Sequence, residues 1–274
     1  MARAGCGETP GGRMKMREFD AGERRLGVLA ALPQELGDLL DAMRAEGGVR
    51  TVTLGRRDYH TGTVYGTPCV VTLARVGKVA AAASASTLIH AFGIEEIVFT
   101  GVAGGVGRDV RVGDIVVADA LMQHDLDASP FFPRYEVPLL ERARFPADPV
   151  LSERLAAACE CFVADEGARL AERFSLRGVR VHRGLIASGD RFVSSTAEVA
   201  ALSGAVPDAL AVEMEGAAIA QVCYEHDVAC AVVRTISDAA DDHAMDSFSS
   251  FLTDIASTYS SGILRRFLEA FAVA

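Results

Sequence analysis

From Leu26 onward, short runs built only of apolar residues and glycine alternate with segments of helical period, and this alternation limits the possible folds more than any other feature of the chain. The run Leu26-Gly-Val-Leu-Ala-Ala-Leu32 suits a strand buried on both faces. Pro33 then opens a helical pattern through Leu36, Leu39, Leu40 and Met43. Between Val52 and Ala74 the residues become β-branched and aromatic, broken by Gly62, Gly66 and Pro68, as in a hairpin or meander. An Ala-rich helix is predicted from Gly77 to Phe92. A strand from Glu96 to Thr100 is predicted to enter a Gly-rich turn, GVAGGVG (101–107), followed by a strand from Gly113 to Ala118. PFFPRYEVP, Pro130 to Pro138, reads as a long loop. Beyond it come a helix near Leu151 to Val163, strands Val179 to Ala187 and Ala209 to Glu213, a helix to Tyr224, a strand Ala229 to Ile236 and a C-terminal helix from about Ser247. With no Ser/Gly/Pro linker and no internal repeat, residues 25–274 are expected to form one α/β domain with a mostly parallel sheet. Residues 1–24, Gly- and charge-rich without an apolar core, are expected to be a disordered extension and not a secretory signal.

Charge and composition narrow the function. The net charge of −10, with basic residues adjacent only in short pairs such as Arg56-Arg57, argues against a general nucleic-acid binder. No apolar run approaches the roughly 20 residues that cross a bilayer, so no membrane span is expected. The six cysteines are scattered without a CxxC pair or zinc-finger spacing, which fits reduced thiols in a cytoplasmic protein. His124-Asp125-Leu126-Asp127 lacks a second cluster at metal-binding spacing and reads as the start of a loop.

In open α/β sheets, ligands sit at the carboxyl ends of strands, and four such ends carry polar residues here. The first strand runs into Glu35, another into Ser188-Gly189-Asp190, a third into Glu213-Met214-Glu215, and Val232-Val233-Arg234-Thr-Ile-Ser237 runs into Asp238. If the third strand continues through its acids, Glu213 and Glu215 share one side and Met214 faces the other. The helix dipole alone can account for an acid in a first helical turn. Several carboxylates gathered at one end of a sheet repel each other unless a proton, or a cationic or hydroxyl-rich ligand, separates them. GVAGGVG fails the GxGxxG spacing, and Gly77-Lys78-Val79 lacks the hydroxyl residue and upstream glycine of a P-loop, which removes nicotinamide and ATP chemistry. The glycines serve equally for close approach to a flat ligand or for a tight turn without one.

Seven stretches in order then resemble one family: GVLAALPQE (27–35), VGKVAAA (76–82), TGVAGGV (100–106), VGDIVVAD (112–119), RGLIASGDRFV (183–193), AVEMEGAAIAQVC (211–223) and VVRTISDAAD (232–241). Together they resemble the 5′-methylthioadenosine/S-adenosylhomocysteine nucleosidases of the purine nucleoside phosphorylase-like superfamily. The resemblance implies a three-layer α/β/α fold around a central mixed, mostly parallel sheet. It also implies hydrolysis of the N-glycosidic bond to adenine and a 5-thioribose product, with no metal or organic cofactor. By that resemblance Asp238 would protonate adenine N7, Ser237 would orient it, and Glu35 would activate the water. Glu215 would grip the ribose 2′ and 3′ hydroxyls, with Met214 under the sugar, Arg234 bonding near Glu215, and Glu213 in the water and ribose network. Phe192 and the Val193 backbone would hold the adenine, and Phe248 would wall the 5′-alkylthio pocket. Phe131 would reach the neighbouring subunit of a homodimer. Arg75, beside the VGKVAAA block, keeps a phosphate-dependent reaction open. Another adenine nucleoside of the aminodeoxyfutalosine type and a non-catalytic nucleoside-binding protein are the remaining alternatives.

Overall fold

The computed structural model describes residues 26–241 and 243–273; the extension expected at residues 1–24 lies outside them. The first strand, β1 (Leu26–Ala30), stops at a single 3-10 turn, Pro33–Glu35, because Pro33 fixes a helical φ and offers no amide to a ladder. After α1 (Leu39–Glu46), the meander expected from sequence is β2 (Arg50–Leu54), β3 (Arg57–Val64) and β4 (Thr67–Leu73). Its last strand pairs parallel with β1, so the meander extends the sheet. Then follow α2 (Lys78–Phe92), β5 (Glu96–Phe99), β6 (Val102–Gly105), β7 (Ile115–Gln123), β8 (Arg144–Pro146) and α3 (Pro149–Arg173). The chain closes with β9 (Val181–Ser188), α4 (Thr196–Ala205), β10 (Ala209–Glu213), α5 (Gly216–Glu225), β11 (Ala229–Asp238), α6 (Ala244–Asp254) and α7 (Ala256–Ala272).

The described strands form one mixed sheet in the order β2-β3-β4-β1-β5-β11-β6-β10-β9-β7-β8. β11 also pairs antiparallel with β7, so β11, β6, β10, β9 and β7 close on themselves as a ring. The wholly apolar strands are buried on both faces, as the sequence predicts, and successive residues serve different cores. Leu26, Val28 and Ala30 of β1, with Ala231 and Val233 of β11, join one core with residues of α1, α3, α6 and α7. Leu29, Val232 and Ile236 join a second with residues of α2 and α5.

Four expectations change. The Gly-rich segment is not a turn: Val102–Gly105 is a strand, parallel to β11 and antiparallel to β10. Its glycines are there for room. None of Gly101, Gly104, Gly105 and Gly107 has a positive φ, and a Cβ on Gly104 would lie 2.9 Å from the Ala240 side chain and 3.0 Å from Asp238 Oδ1. The third acid-bearing strand ends at Glu213, and Glu215 is the N-cap of α5 with φ −136° and ψ −40°, so period-two alternation does not reach it. The C-terminal helix is two, α6 and α7, and α3 runs on to Arg173, well past Val163.

Candidate active site

The carboxyl ends of β1, β10 and β11 meet around a cavity of about 280 Å³. Glu35, Glu213, Met214, Glu215, Ser237 and Asp238 line it. Phe192, Val193 and Phe248 line it as well. Of the residues expected at the site, only Arg234 and Phe131 do not reach its surface.

Each acid is fixed by its own local structure. The turn at Pro33 folds Glu35 back on the strand it follows. One carboxylate oxygen accepts from the Ala31 and Leu32 amides at 2.9 and 2.7 Å, and the other accepts from the Val102 amide at 2.9 Å. Burial pushes this carboxyl above its ordinary pKa, opposed by the Arg234 charge and the three amides. Asp238 closes β11, its Oδ2 accepting from the Ser237 hydroxyl at 2.8 Å and its Oδ1 from the Ala240 amide at 2.8 Å. Burial raises its pKa too, against the pull of these two donors. Ser237 is thus hydrogen-bonded to the carboxyl that follows it. Glu215 accepts a 2.7 Å bond from the Gly77 amide.

Arg234 is paired with the glutamate two residues before Glu215. Its guanidinium donates to Glu213 at 2.7 Å, not to Glu215, and both side chains are almost wholly buried. The arginine lies over the Phe99 ring, 3.9 Å from its centroid, and donates to the Phe99 and Val233 carbonyls. Glu213 also accepts from the Ser188 hydroxyl and from the Glu215 and Gly216 amides. A carboxylate with this many donors is spent on structure: it caps α5 and sets Glu215 beside the cavity. Few of its lone pairs therefore remain for a ligand.

The Phe192 and Phe248 rings meet edge to face with centroids 5.5 Å apart, and Phe192 is 37% exposed. Phe131 is 87% exposed and does not line this chain's cavity. Arg191 is the one basic residue in the lining; it is ion-paired with Glu198 at 2.5 Å. Arg75 stands outside the lining, and its guanidinium donates to the Arg56 carbonyl. Two participants had no role assigned from sequence. The Gly77 amide is a backbone group and leaves no residue-type signal, whereas Ser188, at a strand end, was visible as a polar junction without a partner.

Burial, then the nearby Glu213 charge, raises the Glu215 carboxyl well above its usual pKa. A carboxyl raised in the fold keeps a proton that the unfolded chain has released. The stability it contributes is whole below about pH 4 and is lost as pH climbs through the folded value. Glu215→Gln removes that loss, so the unliganded variant should match the wild type near pH 4 and melt higher than it in mildly alkaline buffer. Thermal unfolding across pH without nucleoside checks this, and equal melting temperatures at alkaline pH would contradict it.

Buried acids beside an aromatic wall can do two things to a neutral ligand. They can hold hydroxyls and a developing positive charge, and a carboxyl with a raised pKa can deliver a proton. Comparison with known proteins identifies the family. The chain matches the phosphorylase superfamily over residues 25–269. It is similar to the structure of 5′-methylthioadenosine/S-adenosylhomocysteine nucleosidase from Neisseria meningitidis in complex with methylthio-immucillin-A. The two are 33% identical with a TM-score of 0.78, over 90% of this chain and 99% of that one. The Streptococcus pneumoniae nucleosidase of the same name, with a transition-state inhibitor, is 31% identical over 90% and 99% of the two chains, TM-score 0.76. Futalosine hydrolase of Helicobacter pylori is also 31% identical, over 90% and 98%, TM-score 0.75. With its matched residues spanning nearly all of the described structure and the cavity acids at its strand ends, this chain belongs to the phosphorylase superfamily.

Proposed function

We propose that the protein hydrolyses the N-glycosidic bond of 5′-thio-substituted adenine nucleosides, 5′-methylthioadenosine and S-adenosylhomocysteine, releasing adenine and the 5-thioribose product. The observation that carries this reading is the set of three buried carboxyl groups, Glu35, Glu215 and Asp238, on one cavity beside Phe192. Bond breaking passes through an oxocarbenium-like sugar, which needs a proton for the departing base, a negative environment for the cation and an activated water. Asp238, its pKa raised by burial, supplies the proton to adenine N7, and Ser237 keeps the carboxyl in place. Glu215 accepts from the ribose hydroxyls, and its charge favours the cation; Met214 lies under the sugar. Glu35 takes the proton from the attacking water. Three amide bonds hold its carboxylate still, and with the Arg234 charge they oppose the rise in pKa that burial imposes. Phe192 stacks on the base, the Val193 backbone reads its edge, and Phe248 walls the 5′ substituent. In the assembled protein, proposed as a homodimer, the exposed Phe131 extends toward the partner's site.

Phosphorolysis fits less well. Among the described residues the lining offers phosphate one cation, Arg191, already paired with Glu198, against four acids, and Arg75 is turned onto the Arg56 carbonyl. The 31% identity shared with futalosine hydrolase supports a second reading, in which the 5′ substituent differs and the bond cleaved is the same. The test is adenine release from 5′-methylthioadenosine and S-adenosylhomocysteine in phosphate-free buffer and with phosphate added. Phosphate-independent release is expected. Release only with phosphate would make the protein a phosphorylase, and release only from a different adenine nucleoside would select the second reading.

A further inference from the structure

Helix α2 has as its N-cap Gly77, which has no side chain to cap it and holds a φ of +98°. Its two leading amides nonetheless have carboxylate acceptors, each from a distant part of the chain. The Gly77 amide donates to Glu215, and the Lys78 amide donates to Asp190 Oδ1 at 2.8 Å. Asp190 in turn donates its own amide to Asp125 Oδ2 at 2.8 Å, and Lys78 Nζ closes the circuit on Asp125 Oδ1 at 2.6 Å and lies 3.9 Å from Asp190 Oδ2. Three loops, those after β4, β7 and β9, are thereby tied together at the cavity rim. Asp190 lies two residues before Phe192, and Gly77 follows Val76, both of which line the cavity.

We propose that Asp190, with Lys78 and Asp125, is a positioning clasp that holds the Gly77 amide on Glu215 and the Phe192 loop against the base as one unit. The inference rests on the nucleosidase reading for its kinetic part only. None of the three side chains is among the cavity-lining residues, so each acts through what it positions. The Gly77 bond stabilises the charged form of Glu215, which Glu213 and Glu35 disfavour and Arg234 favours. When the clasp opens, the amide leaves, Glu215 holds its proton to higher pH, and grip on the ribose weakens in the same step as stacking on the base.

Asp190→Ala, Asp190→Asn and Lys78→Met test this. Losing a charge-assisted hydrogen bond at such a point predicts a fall of about tenfold in kcat/KM for methylthioadenosine at neutral pH, carried by both KM and kcat. The acid limb of the pH profile should move to higher pH in Asp190→Ala. Asp190→Asn keeps an acceptor for the Lys78 amide and should recover part of the loss. A folded Asp190→Ala protein whose acid limb stays in place overturns the proposal, because a merely structural role would lower stability and leave that limb alone. Hydrogen exchange of the unliganded protein gives a readout that needs no substrate. Lys78→Met should speed exchange at residues 189–194 as well as 75–80, and unchanged protection at 189–194 would refute the clasp. Should the wild type release no adenine, the nucleosidase reading fails while the exchange result still decides the clasp.

Discussion

Asp238→Asn is expected to lower adenine release by about 10²- to 10⁴-fold, the share of catalysis that a positioned acid contributes. The substitution keeps the shape of the side chain. Its carbonyl oxygen can still accept from the Ala240 amide, and the Ser237 hydroxyl can rotate to accept from the new amide group, so both present bonds have replacements. Only the transferable proton is lost. Adenine release from methylthioadenosine, measured beside thermal unfolding, separates chemistry from folding: an unchanged melting temperature with little turnover is the expected pair of results. Near wild-type turnover would remove Asp238 from the role of acid and leave the base to depart by another route.

The largest effect on stability is expected at Arg234. Arg234→Met removes the guanidinium from a buried pair and leaves the Glu213 carboxylate without its cation, which costs about 3–5 kcal/mol when a buried ion pair loses one member. The contact with the Phe99 ring goes with it. Methionine fills much of the volume, so the deficit should be chiefly electrostatic and should shrink when Glu213→Gln is added. In the double variant the two effects should not sum, as for any directly contacting pair. Denaturant unfolding of the four proteins measures the coupling. A deficit below about 1 kcal/mol for Arg234→Met would mean that Ser188 and the amides of α5 hold Glu213 by themselves.

How much of this was legible in the sequence depends on the physical signal each element leaves. Strands such as Leu26–Ala30, and the first half of Ala229–Asp238, were readable because burial on both faces favours unbroken apolar runs. The acids at their ends were readable because charge at such a position is costly without a purpose. β6 was misread since a glycine that makes room for Asp238 and a glycine that makes a turn are the same letter. Helix α4 went unassigned although Ser195-Thr-Ala-Glu198 has the spacing of a capping box, with the Ser195 hydroxyl accepting from the Glu198 amide at 3.3 Å. Which of Glu213 and Glu215 pairs with Arg234 was beyond reach, because two glutamates two residues apart present the same charge to any pattern, and only the end of β10 at Glu213 tells them apart. The link from Lys78 to Asp125 and Asp190 spans 47 and 112 residues, and no local spacing encodes it.

The placement of β11 has a consequence for how the chain is made. This strand lies between β5 and β6 in the middle of the sheet, yet 228 residues precede it. A chain emerging from the ribosome therefore completes the strands on both sides before it has the one that joins them. Until then β5 and β6 present open edges, the kind of surface that recruits strands from other chains. The strand that closes those edges also carries Asp238. The last central piece to arrive thus brings the proposed catalytic acid with it, and an incomplete chain is vulnerable to aggregation for the same length of time that it is inactive.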